Sequence, residues 1–224
     1  TGIYFGMADD DARTILVTSP SPGDGKSTTA SNLAIAMAQA GRRVLLLDAD
    51  FRKPMVHKLY DIEGKTGLTD ALIGEVPLSK AVVTSGVENL WLLPCGSVPP
   101  NPSEILNSDR FQKAIDKLSS VYDHIIVDSP PVMAVTDARI LGAICEHTIL
   151  VLRAEKSTRK ASIEACEGLR RVGAKILGII FNDIPRNRGG YGYYRYGYNS
   201  YGYYGTDESR AVAVTRSAPD PATD

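Results

Sequence analysis

Cysteine, histidine, long apolar runs and excess charge are all scarce in this 224-residue sequence. The three cysteines, Cys95, Cys145 and Cys166, are odd in number and lack C-x-x-C spacing, which excludes a thiolate metal centre or redox dithiol and reads as small apolar residues of a reducing compartment. His57, His124 and His147 form no ligand-spaced pair, so no zinc is expected. A formal net charge of -1 offers no overall basic excess, and no nucleic-acid partner is expected. No apolar run approaches the roughly 20 residues that span a bilayer, and residues 1–7 carry no secretory pattern, so this stretch is expected to be soluble. The chain starts at Thr1 without a Met, as a piece of a longer polypeptide would, and a membrane segment is free to lie outside it.

What is present is alternation. Short, nearly continuous apolar runs at 14–18, 44–47, 90–93, 125–127, 148–152 and 176–181 read as buried parallel strands. Between the first two, Ala30, Leu33, Ala34, Met37 and Ala38 recur at helical spacing, and Gly41 follows as a stop. A second helix is predicted after Ser157 as N-cap, with Ile163, Cys166, Leu169 and Val172 on its buried face and Gly173 at its end. Asn101-Pro102-Ser103-Glu104 reads as a helix start, with Asn as cap and Pro at the first position. The predicted fold is α/β, a P-loop NTPase with a mostly parallel central sheet and helices on both faces. One domain, 1–185, precedes a tail, 186–224, whose Gly- and Tyr-rich composition between 191 and 204 cannot specify a packed core and is expected to be disordered.

The chemistry starts after the first strand, at Ser19-Pro20-Ser21-Pro22-Gly23-Asp24-Gly25-Lys26-Ser27-Thr28. Strand, loop and helix in this order are the context of a Walker A motif, although Pro20 stands where its first glycine would be. Gly23 and Gly25 let backbone N–H groups turn toward phosphate oxygens, and the helix N-terminus adds a favourable dipole. Lys26 reaches the terminal phosphates and the Ser27 hydroxyl ligates magnesium. With Asp24 and Thr28 these residues form the expected ATP contact. Two acidic clusters end apolar strands, where ligands bind in open α/β sheets: Asp48-Ala49-Asp50-Phe51-Arg52, and Asp128-Ser129-Pro130-Pro131, which has the form of a Walker B strand end.

These motifs, with Asn101-Pro102-Ser103-Glu104 and the clustered tyrosines, resemble the bacterial tyrosine kinases. The resemblance implies that Lys26, Asp48, Asp50 and Asp128 are catalytic, Asp48 helping to activate the attacking tyrosine hydroxyl. It implies that Ser27, Asp50 and Asp128 hold Mg2+ of Mg-ATP, and that Asn182 contacts adenine. The acceptors would be Tyr191, Tyr193, Tyr194, Tyr196, Tyr198, Tyr201, Tyr203 and Tyr204. It further implies control of capsule or exopolysaccharide synthesis or export, a transmembrane polysaccharide co-polymerase-type activator, self-association for phosphorylation between subunits, a tyrosine phosphatase, and a cytoplasmic location at the inner face of the plasma membrane. The upstream Glu-x-x-Arg-x-x-Arg helix of that family has no match in residues 1–13.

Two other readings compete. A partitioning or cell-division ATPase, a switch rather than a kinase, would carry a signature lysine at position 21, which is serine here. Arg-Gly-Gly with interleaved tyrosines could also stack on single-stranded RNA.

Overall fold

The computed structural model describes residues 12–185. The tail and its tyrosines lie outside the described residues, as do residues 1–11.

The elements run β1 (Thr14–Thr18), α1 (Lys26–Gln39), β2 (Val44–Asp48), α2 (Val56–Leu59), α3 (Leu68–Ile73), α4 (Leu78–Ala81), β3 (Val83–Thr84) and β4 (Leu90–Leu93). They continue through α5 (Pro102–Leu106), α6 (Asp109–Ser119), β5 (His124–Asp128), α7 (Asp137–Ile144), β6 (His147–Arg153), α8 (Arg159–Arg170) and β7 (Ile176–Asn182). The strands form one sheet in the order β3-β4-β2-β5-β1-β6-β7, parallel except for β3 against β4. Every residue of β1, β2 and β5 is buried, because helices cover both faces of the sheet centre.

Alternation along the strands sorts the core into two layers. Ile15, Val17, Val44, Leu46 and Ile126 pack against Ala30, Ala34, Met37 and Ala38 of α1. Leu16, Leu45, Leu47, Ile125 and Val127 point the other way, onto α3 and the residues Phe111, Ala114, Ile115 and Leu118 of α6. Each Val, Leu, Ile, Met or Phe side chain that this arrangement removes from water contributes on the order of 1.5–3 kcal/mol against chain entropy.

Six of the strands match the sequence reading to within a residue at either end, whereas the two-residue β3 has no apolar run to mark it, β7 is an edge strand on which Ile179 and Phe181 are exposed rather than buried, and α8 differs. Thr158, not Ser157, caps it, its hydroxyl accepting from the Ala161 amide at 3.2 Å, while the Ser157 hydroxyl accepts from the Arg153 amide at 2.8 Å. The buried face is Ala165, Gly168 and Leu169; Ile163 and Val172 are exposed and Cys166 is half-buried. Gly168 explains the rotation, since a Cβ there would stand 3.1 Å from the Arg139 Nε, and small residues let α8 approach α7.

A tight junction ties α3 to the end of β4. The buried Asp70 carboxylate accepts from the amides of Gly67 at 2.8 Å and Ser97 at 3.3 Å, and Thr69 Oγ1 donates to the Cys95 carbonyl. Gly96 adopts φ 81°, and a Cβ there would lie 2.0 Å from Asp70 Oδ2. Gly96→Ala should therefore cost about 2–4 kcal/mol, combining left-handed strain with a displaced buried carboxylate. Urea denaturation read by circular dichroism checks this; an unchanged midpoint would show that the junction yields.

Candidate functional site

The strand order, which puts β5 between β1 and β2, builds the site. Asp128 at the end of β5 is the register partner of Val17 on one side and of Asp48 on the other. The phosphate-type loop following β1 and the acidic loop following β2 therefore meet across one carboxylate.

The loop turns at Gly23, φ 82°, and at Gly25, φ 92°, the N-cap of α1, where a side chain would clash with the Asn182 amide at 1.9 Å. Asp24 is buried, and its carboxylate accepts from the Ser21 amide at 2.9 Å, a strut across the loop. Lys26 Nζ sits 3.2 Å from Asp50 Oδ2 and donates to Ser27 Oγ at 3.3 Å. Thr28, Lys26, Ser27 and Asp50 share a cleft of about 590 Å³ with Arg52, Met55 and Pro131.

Among the carboxylates the surroundings differ. Asp48 is fully buried, its Oδ2 accepting from the amides of Met55 and Val56, both at 2.9 Å, and its Oδ1 from Asp50 N at 3.2 Å. Burial, and then the facing Asp128, push its pKa up. With three amides donating to it, Asp48 organises the turn into α2, and it is Asp50 that reaches the cleft. Asp128 is also fully buried, and neither of its oxygens has a hydrogen-bond partner. Burial raises its pKa and Asp50 adds to this; Lys26 and Ser27 oppose it, although Ser27 falls short of a hydrogen bond. Two buried acceptors without donors are costly unless a cation satisfies them, and Ser27 Oγ and Asp50 supply further oxygens of the kind magnesium takes. The donor set fits that ion.

Asp137, Arg153 and Asp183, which the sequence reading passed over, complete the surroundings together with Arg52 and Ser103 of the motifs. Arg52 Nε donates to Asp137 Oδ2 at 2.7 Å, and Ser103 Oγ donates to Asp137 Oδ1 at 2.5 Å. The Asn-Pro-Ser-Glu segment is thereby linked to the acidic loop. Asp137 is fully buried; burial alone would raise its pKa, but Arg52 and Ser103 hold it below the usual carboxylate range. Arg153 and Asp183 stand behind the loop at the ends of β6 and β7. A lone charged residue at a strand end or helix start has no spacing that singles it out.

A family model described as an AAA domain matches residues 12–177. The chain is 40% identical over 195 residues to the tyrosine-protein kinase YwqD of Bacillus subtilis, covering 87% of this chain and 82% of that one. The chain belongs to the bacterial tyrosine-protein kinases. This kinase superposes on the kinase domain of the Escherichia coli tyrosine kinase Etk with a TM-score of 0.79 and 34% identity, covering 88% of this chain and 77% of that one. The septum site-determining protein MinD of Pyrococcus horikoshii, solved with Mg-ADP, is less similar: TM-score 0.65, 28% identity, 75% and 69% covered. The kinase therefore shares its layout with this septum-site protein while its sequence groups with the tyrosine kinases. Nucleotide binding with a metal ion is general to this fold.

Proposed function

We propose that the kinase uses Mg-ATP to phosphorylate tyrosines of its own C-terminal segment, Tyr191, Tyr193, Tyr194, Tyr196, Tyr198, Tyr201, Tyr203 and Tyr204. The observation that carries this reading is the pair of unpartnered, buried Asp128 oxygens beside Lys26, Ser27 and Asp50. Gly23, Gly25, Lys26, Ser27 and Thr28 would cradle the phosphates, Asp24 would hold the loop's shape, and Asn182 would meet the adenine. Magnesium, held by Ser27, Asp50 and Asp128, would neutralise charge on the transferring phosphoryl group. Lys26 contributes a second positive charge at the same oxygens. Asp50, which lines the cleft, would orient the tyrosine hydroxyl, and Asp48, which the resemblance gives as the group that activates it, would act through the loop it fixes.

Each phosphate adds about -1.5 to -2 charges, so several would turn a segment holding Arg186, Arg188 and Arg195 into a polyanion. Such a change suits control of assembly. The remainder of the reading follows the family resemblance: regulation of capsule or exopolysaccharide synthesis or export, a transmembrane polysaccharide co-polymerase-type activator fused upstream or separate, subunits that phosphorylate one another, a phosphatase that resets them, and a place at the inner face of the plasma membrane. Among the described residues no helix is long and apolar enough to cross a membrane.

Truncation tests the acceptor assignment. A chain ending at Arg188, incubated with Mg-ATP beside the full chain, should lose nearly all of its phosphotyrosine, since every assigned acceptor is removed and Tyr4, Tyr60 and Tyr122 remain. Equal labelling of the two would place the acceptors in the folded domain and reject the assignment.

A further inference from the structure

An anion-binding loop works by turning its amides inward, and each amide turned inward sends a neighbouring carbonyl outward, where it needs a donor. The outward carbonyls of this loop are nearly all accounted for. Ser19 O accepts from the Val132 amide at 2.9 Å, Pro20 O from the Met133 amide at 3.3 Å, and Gly25 O from the Thr29 amide at 2.9 Å. Ser21 O accepts from Ser19 Oγ at 2.8 Å. The two at the apex are met by side chains from elsewhere: Gly23 O accepts from Arg153 Nη1 at 3.1 Å and Asp24 O from Asn182 Nδ2 at 3.1 Å.

Arg153 and Asn182 are register partners at the ends of β6 and β7, so the two donors sit side by side behind the loop. Arg153 is itself held. Its Nε donates to Asp183 Oδ2 at 2.8 Å, with Nη2 at 2.6 Å from the same oxygen, and Asp183 adopts the left-handed φ of 54° at the turn after β7. One guanidinium thus bridges a loop carbonyl and a carboxylate, which its planar fork allows and a lysine's single ammonium does not.

We propose that Arg153 is a positioning residue for nucleotide binding: with Asn182 it clamps the Gly23 and Asp24 carbonyls outward, fixing the amides around them for the β-phosphate, and Asp183 aims it. The inference rests on the nucleotide reading above and adds to it two residues with no contact to the phosphates. It also ties the phosphate loop to the turn after β7, a few residues before the C-terminal segment begins at 186.

The test uses the full chain with fluorescent ADP and magnesium. Arg153→Ala should weaken binding about tenfold, Asp183→Asn about threefold, and Arg153→Lys should recover part of the loss, since it keeps a cationic donor but not the planar fork. The phosphorus NMR resonance of the bound β-phosphate should move in Arg153→Ala, a signature that general loosening would not produce while the melting temperature without ADP stays within a few degrees. Binding by the unaltered chain, with affinity and resonance unchanged in both Arg153→Ala and Asp183→Asn, would overturn the clamp alone. Failure of the unaltered chain to bind ADP would remove the nucleotide reading and the clamp with it.

Discussion

Lys26→Met should lower ATP-dependent tyrosine phosphorylation at least about 100-fold, on the order of 3 kcal/mol of lost transition-state stabilisation. The ammonium pairs with Asp50 at 3.2 Å and lowers the pKa of Asp128. Methionine keeps the length and apolar stem of the side chain but leaves the terminal phosphates facing acidic strand ends with only magnesium to offset them. Because charge on those oxygens shifts during transfer, the loss falls on turnover as well as on binding. The fold should persist, since the buried stripe of α1 lies at Ala30, Ala34, Met37 and Ala38, beyond the substituted turn. Phosphotyrosine immunodetection over a time course, with circular dichroism as the control for folding, measures both. A Lys26→Met chain labelled at the unaltered rate would remove the assignment of this loop to the phosphates.

Asp128→Asn is expected to change stability and binding in opposite directions. In the free protein the carboxylate is buried with no donor on either oxygen, opposite Asp48 on the neighbouring strand. A neutral amide of the same shape relieves both the buried charge and the repulsion, and should stabilise the nucleotide-free chain by about 1–2 kcal/mol. The same change removes the negative charge that a magnesium ion would find there, and magnesium-dependent ADP affinity should fall about 10- to 100-fold. This is the trade expected of a group kept for function at the expense of stability. Urea denaturation without nucleotide, together with ADP titration at high and at negligible magnesium, measures the two effects. A variant that is less stable and binds Mg-ADP unchanged would show that Asp128 is structural.

Burial, with nearby acidic groups adding to it, pushes the thiols of Cys95 and Cys145 up to about 12, which keeps both in the unreactive protonated form.

The sequence alone determined the local pieces: the central strands, because a buried parallel strand must be apolar on both faces; the glycine-lysine-serine loop, because that chemistry turns amides toward an anion at a helix mouth; and the acidic strand ends, though not the short antiparallel β3 or the exposed face of edge strand β7. It misplaced the face of α8, where a run of Ile163, Cys166, Leu169 and Val172 looks apolar but a glycine and an alanine make the contact. Tertiary structure decided which of these pieces meet. Strand order put β5 between β1 and β2, and so made Asp128 the neighbour of both loops. It also paired Arg153 with Gly23 across 130 positions and Arg52 with Asp137 across 85. Periodicity and capping act over a few residues and are written in the local sequence, whereas contacts between strand ends depend on how the sheet is threaded.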